Sequence, residues 1–325
     1  MPSRWRRFLP GDEIRVFTMQ HDDGGRIAEI IGHPDFPEAL RIYRSAMKET
    51  YRQRPGLHRY ISGNRRFLVH TLAFYLHITR DRGNDTHGLT LKRLRAHCAA
   101  AGLASPGMAH LYLQMLRAHR MIVVVETNDR RFRRFEPTEK MIGQIREHTR
   151  ANLAPVDVLF PELGALLEVD ADPQFVFALR RVMGKAFFER GNAMSRRSEI
   201  RYFQEKASGD MVLLDLMNAA TGAGQLPQSR AVKIDFDACS EGCGVSRVHV
   251  AKIFNGAQRR GLVVIEGPGG SAIRPTSLLI EKYMEWTAAQ IVLFADCATE
   301  AMAQRASARM TPPAELRVAN FSAAL

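Results

Sequence analysis

Arg130, Arg131, Arg133 and Arg134 fall within five residues, with Phe132 among them. A guanidinium is a planar fork of donors that meets a phosphate through parallel bonds, so such a cluster points to a polyanion. Side chains alternate along a strand, which sets Arg131 with Arg133 on one side and Phe132 with Arg134 on the other. Two or three of the four arginines then reach one duplex. A second set lies downstream: Arg247, Val248, His249, Lys252, Asn255 and Arg259. On a helix Val248, Lys252, Asn255 and Arg259 share a face, with Arg247 and His249 near its N-terminal end. Cationic donors, an amide and a branched apolar group are the chemistry that reads base edges in a major groove. An earlier helix turns Gly107, Leu111, Gln114 and Ala118 outward, flanked by His110 and Arg117; only Gln114 there is a strong base reader. Lys92 and Arg93, with Arg95, are candidate phosphate contacts or an ordinary wet helix face. Arg274 follows a glycine-rich hairpin tip.

These residues are positioned by elements that occur twice. Residues about 30–150 recur as about 170–295. Pro34-Asp35-Phe36 with Ala39-Leu40-Arg41 matches Pro173-Gln174-Phe175 with Ala178-Leu179-Arg180. Ser62-Gly63-Asn64 matches Ser208-Gly209-Asp210, Ile122 to Glu126 matches Leu262 to Glu266, and Pro137-Thr138 matches Pro275-Thr276. Two copies at this period are too long and too few for a solenoid, so they read as two domains, each with its own core. The expected division is an arm over 1–33, a first domain over 34–155, a second over 165–296, and a tail over 297–325.

Apolar spacing predicts helices over Pro37 to about Arg52, Arg66 to Thr79, Leu91–Ala101 and Pro106–His119. Ser105 is a good N-cap, with Pro106 at the first helical position. A β-branched run Met121–Thr127, a turn at Asn128-Asp129 and a returning strand Arg131–Glu136 make a hairpin. A closing helix then runs from Pro137-Thr138 to about Thr149. The second copy repeats the series, with helices from Pro173 and Asp210, near Phe236–Gly242, over Arg247–Arg260, and from Thr276. Its hairpin turns at Gly267-Pro268-Gly269-Gly270. Within Arg247–Arg260, Val250, Ile253, Phe254 and Ala257 form the inner face; Ala109, Tyr112, Leu113 and Leu116 do so in the first copy.

The chain has 325 residues and a net charge of +12. Residues 1–160 hold 27 Lys+Arg against 16 Asp+Glu, and residues 161–325 hold 19 against 18, so the excess of cations sits in the first half. That asymmetry favours a polyanionic partner there over mere solubility. Four cysteines, Cys98, Cys239, Cys243 and Cys297, are too few and too uneven for a disulfide framework. Cys239 and Cys243 share a helix face, but only His249 is a further ligand close in sequence, so they are expected to be core cysteines. No metal and no cofactor are expected. Arg4-Trp5-Arg6-Arg7 is followed by Pro10-Gly11-Asp12-Glu13 rather than an apolar stretch, and no segment has 18 apolar residues. Export and membrane insertion are therefore not expected, and a cytoplasmic, nucleoid-associated location is. Phosphate-cradling glycine loops, nucleophile elbows and paired metal motifs are all missing from the sequence, so an enzyme is not expected.

Val245-Ser246-Arg247 through Phe254, ending in Arg260-Gly261-Leu262-Val263, resembles the recognition-helix stretch of MarR-type winged helix-turn-helix transcription regulators. A capping serine and a Gly-Leu-Val leading into the wing carry the likeness. The first copy resembles it less, with Met121 where the family usually has Gly. The resemblance implies a mainly α fold with small β-hairpins: tandem winged helix-turn-helix domains, an internal duplication in a pseudo-twofold arrangement. It also implies binding of double-stranded DNA and regulation of transcription. Such a chain acts as a monomeric pseudo-dimer or as a homodimer, and adjacent major grooves would set its recognition helices about 34 Å apart. A plasmid-type replication initiator, which is similar in carrying two winged helices, is the alternative. A winged-helix protein–protein scaffold is a further one.

Overall fold

A computed structural model describes residues 23–52, 64–81, 83–84, 87–127, 132–189, 198–222, 225–267 and 272–310. The expected turns at Asn128-Asp129 and at Pro268-Gly269-Gly270, Ser62-Gly63, and most of the arm lie outside these residues. The fold is mainly helical with two small antiparallel sheets. Its first half contains α1 (Asp23–Ile31), α2 (Phe36–Arg52), α3 (Asn64–Ile78), β1 (Leu89–Thr90), α4 (Leu91–Ala100), α5 (Pro106–Ala118), β2 (Ile122–Val125), β3 (Arg134–Pro137) and α6 (Glu139–Leu159). After a short 3-10 turn come α7 (Ala165–Ala171), α8 (Pro173–Gly184), α9 (Ser198–Gln204), α10 (Gly209–Ala219), β4 (Val232–Lys233), α11 (Phe236–Cys243), α12 (Arg247–Gln258), β5 (Val263–Glu266), β6 (Ala272–Pro275) and α13 (Ser277–Met310).

The sheets have the same strand order, β1-β3-β2 and β4-β6-β5. Their registers match too: Leu89 and Val124 flank Phe135, and Val232 and Ile265 flank Ile273. The repeated Pro-Thr has a physical cause. Thr138 Oγ1 donates to the carbonyls of Arg120 and Met121, and Thr276 Oγ1 donates to those of Gly261 and Leu262. Each threonine thus ties the start of a closing helix to the chain entering the hairpin. These bonds shift the repeat by one residue relative to the sequence match: Met121 corresponds to Leu262, and Arg120 to Gly261. Arg120 stands in the left-handed region at φ 55°, where Gly261 has φ 68°. The glycine missing from the first copy is therefore at Arg120, not at Met121.

Three expectations need correction. The arm is partly helical, because α1 buries Ile27 and Ile30 and joins Arg26 to Asp296 through two bonds of 2.8 and 3.0 Å. The tail from 297 to 310 continues α13, with Cys297, Ala298 and Ala301 buried, and Arg305 paired with Glu168 and Asp172. The first closing helix passes Thr149 and ends at Leu159, so the expected boundary at 155 falls inside it.

Nor are there two separate cores. Buried residues from both halves form one continuous cluster. Phe74 of α3 stacks on Phe177 of α8 at 5.5 Å, and Tyr43 of α2 meets Trp286 of α13 edge-on at 6.0 Å. Lys48 pairs with Asp215, Tyr51 donates to Asp210, and Arg181 donates to the Ile78 carbonyl. Arg180 is buried and satisfied by Thr149 Oγ1, the Ile145 carbonyl and the His148 ring.

Gly184 of α8 lies so close to the Tyr75 ring of α3 that a Cβ would overlap it. Gly184→Ala should lower unfolding stability by about 1–3 kcal/mol despite alanine's better helix propensity, measured by urea denaturation. Arg120→Gly should raise it by about 0.5–1 kcal/mol by removing the left-handed strain.

Candidate nucleic-acid interface

Each half presents a capped helix across a tight turn from the one before it. Ser105 Oγ accepts from Met108 N and starts α5; Ser246 Oγ accepts from His249 N and starts α12. The turns match: Gly102 and Gly244 adopt φ 62° and 65°, and Leu103 N and Val245 N donate to the carbonyls of Cys98 and Ser240. A left-handed glycine closes α4 and α11 and turns the chain sharply into the next cap.

The inner faces follow the sequence pattern. Val250, Ile253, Phe254 and Ala257 are buried, as are Ala109, Leu113 and Leu116, with Tyr112 half-buried. Outward on α12 are Val248, 63% exposed, with Lys252, Asn255 and Arg259. Outward on α5 are Gly107, Leu111, Gln114 and Ala118. Arg117 Nη1 donates to Gln114 Oε1 at 3.2 Å, so the first helix's strongest reader shares its carbonyl oxygen with a neighbour. His110 is half-buried with a buried Nδ1.

Several candidate contacts turn out to have intramolecular work. His249 does not face outward: its ring is 3.0 Å from the Ala207 carbonyl and braces α12 against the α9–α10 connection. Arg93 donates to the Gly88 carbonyl at 2.9 Å, which locks the entry to β1, and burial lowers its pKa. Lys92 beside it is exposed. Arg134 lies 3.5 Å from Glu136, which also pairs with Arg80, and its side chain is only 15% exposed. Strand alternation is the cause, since Arg134 and Glu136 are two apart and share a face. Arg274 donates to Glu266 across the second hairpin at 2.7 Å, and Arg247 pairs with Asp237 at 2.9 Å in the open. An exposed pair of that kind contributes little and leaves Arg247 available to a stronger anion. Arg133 is exposed, and Arg130 and Arg131 lie outside the described residues.

Sequence reading missed two features. Met108 and Leu111 of α5, and Val123, Val124 and Phe132 of the first hairpin region, are apolar and 38–50% exposed. Asp215 of α10 reaches Cys239 and Cys243, a neighbour that no local spacing announces. Among the described residues no helix is long and apolar enough to cross a membrane. Family models, curated proteins and solved structures give no match to the chain.

Beneath the first hairpin, His77 is held neutral. Burial first, then Arg80, push its pKa down to about 4, with Glu136 opposing. A histidine depressed in the fold binds protons more readily when unfolded, so its contribution is complete above about pH 6.5 and is lost as pH falls towards 4. Urea midpoints measured from pH 7.5 to 4 should fall across that window, and His77→Gln should flatten the fall.

Proposed function

We propose that this protein binds double-stranded DNA as a tandem pair of winged helix-turn-helix modules and regulates transcription from a specific site. The observation that carries this reading is the division of α12. One face is wholly buried, and the opposite face offers an exposed valine, lysine, amide and arginine beside a three-stranded hairpin sheet. Lys252 and Arg259 supply cationic donors, Asn255 can engage adenine through two bonds, and Val248 fits a thymine methyl. Arg247 and Lys92 would meet phosphates, and Arg133 with Arg130 and Arg131 would extend the basic wing of the first half. The shared turn and cap geometry of the two halves, and their common core, support a fixed pair of modules that acts as an intramolecular dimer.

A second reading, in which the first half docks protein rather than DNA, is favoured by one observation. Met108, Leu111 and Phe132 expose apolar surface where the second half exposes polar groups. Duplex binding discriminates the two, because Leu111→Lys should raise DNA affinity if α5 faces the duplex and should leave it unchanged while disturbing protein capture if it does not.

Bound fragments selected from genomic DNA would identify the site; a single imperfect palindrome or direct repeat fits regulation, and iterated repeats fit replication initiation. On the selected duplex, fluorescence anisotropy should show Lys252→Ala and Arg133→Ala each reducing the log–log salt slope by about 1. Asn255→Ala should cost about 1–3 kcal/mol of discrimination at one base pair. Arg134→Ala should leave the slope unchanged, since that guanidinium is held by Glu136. No shift of any duplex at low ionic strength would overturn the reading.

A further inference from the structure

Cys239 and Cys243 lie one turn apart at the end of α11, both buried, and their sulfurs face the carboxylate of Asp215 on α10. The two sulfurs and one carboxylate oxygen all lie within 4.8 Å of one another. Two thiolates about 2.3 Å and a carboxylate about 2.1 Å from a common tetrahedral centre stand about 3.6–3.8 Å from one another, so a contraction of about 1 Å makes three corners of a tetrahedron. We propose that Asp215, Cys239 and Cys243 form a binding site for a soft divalent cation of the zinc class, with water as the fourth ligand.

Several features mark this cluster as more than core packing. Asp215 is an acid within the strongly apolar α10, where Met211, Val212, Leu213, Leu214, Leu216 and Met217 are all buried. The site belongs to the second half alone. Through the matched turn bonds, Cys239 and Cys243 correspond to His97 and Ala101, and the sequence match of Ser208-Gly209-Asp210 to Ser62-Gly63-Asn64 sets Asp215 against Val69. All three donors are therefore changed together while the surrounding fold is kept. Asp215 is partly exposed, which gives an ion a way in from solvent. Its Oδ1 accepts from Lys48 of α2 at 2.5 Å, so the ligand is oriented by an outer partner from the other half, as metal-bound carboxylates commonly are.

The hydrogen bond with Cys243, then burial, raise the Cys239 pKa, so without metal that thiol keeps its proton. Entry of the cation releases both thiol protons to solvent and forms two metal–sulfur bonds and one metal–oxygen bond. Cys243 is followed directly by the left-handed Gly244 and the cap of α12, and its carbonyl accepts from Ser208 Oγ at 2.8 Å. The ion would thus join α10 to α11 immediately behind the turn. The site stands independently of the DNA-binding reading.

Cobalt(II) titrated into the reduced full-length protein tests the assignment. One equivalent should bind, with thiolate charge-transfer and tetrahedral visible bands that zinc displaces. Asp215→Asn should lower cobalt affinity at least roughly tenfold. Cys239→Ser with Cys243→Ser should abolish the bands while circular dichroism keeps the helical signal. If the thiol pair proves necessary for folding, the partly exposed Asp215→Asn still reads the site. Absence of thiolate bands in the unaltered protein, their survival in the folded double variant, or an affinity indifferent to Asp215→Asn would overturn the proposal.

Discussion

One apolar seam governs the architecture. Helices α2 and α6 of the first half and α8 and α13 of the second bury their inner faces in the same cluster, so neither half completes its core alone. Aromatic rings cross the seam at Phe74–Phe177 and Tyr43–Trp286, and the backbone at Gly184 approaches Tyr75 too closely for any side chain. Such interdigitation is discrete rather than continuously deformable. The orientation of α5 relative to α12 is therefore set by packing of the long helices, not by a linker. The DNA binding proposed above requires this property, because two helices that read two grooves must be held in register.

Polar groups inside the seam sharpen this restriction. Arg180 is buried but has a hydroxyl, a carbonyl and a ring nitrogen arranged around it. Arg44 is equally buried and less well served, since its Nε and Nη1 have no hydrogen-bond partner among the described residues. Burial lowers its pKa, and the neighbouring Tyr283 opposes that effect. Burial drives the Tyr283 hydroxyl up to about 12, with Arg44 acting against it. A guanidinium in this position costs more than an apolar residue of similar size, but it tolerates few alternative packings of α2 on α13. Across the same seam, Tyr51 donates to Asp210, whose pKa burial raises.

What was legible in the sequence was local and periodic. The serine caps and Pro106 act within a few residues, the inner faces of α5 and α12 follow the helical period, and the repeated Pro-Thr is visible as a sequence match; each appears in the structure. What escaped depended on partners distant in sequence. The segment after 297 is alanine-rich and reads as a tail, but Ala298 and Ala301 are fully buried in α13. Ile27 and Ile30 alone give too short a period to announce α1, which needs Asp296 to hold Arg26. Arg134 is an instructive miss: the alternation that separated the wing arginines also sets Glu136 beside it, and that inference was available from residue parity. Asp215 had no such signal, because its distance from Cys239 is set by helix packing.

The pattern of divergence between the halves separates fold from function. Bonds that build the turn and the hairpin are kept in both, down to the same two carbonyls on each closing-helix threonine. Surfaces are not kept. Where α12 exposes Val248, Lys252 and Asn255, α5 exposes Met108 and Leu111, and the arginine excess lies in the same half of the sequence as α5. Relaxed constraint on a solvent face would scatter polar substitutions, since exposed apolar side chains gain nothing from water. Met108 and Leu111 share the outer side of α5 one turn apart and both remain apolar and exposed. Under the proposed DNA binding, two halves fixed by one core but differing in surface chemistry would suit unequal half-sites better than a symmetric one.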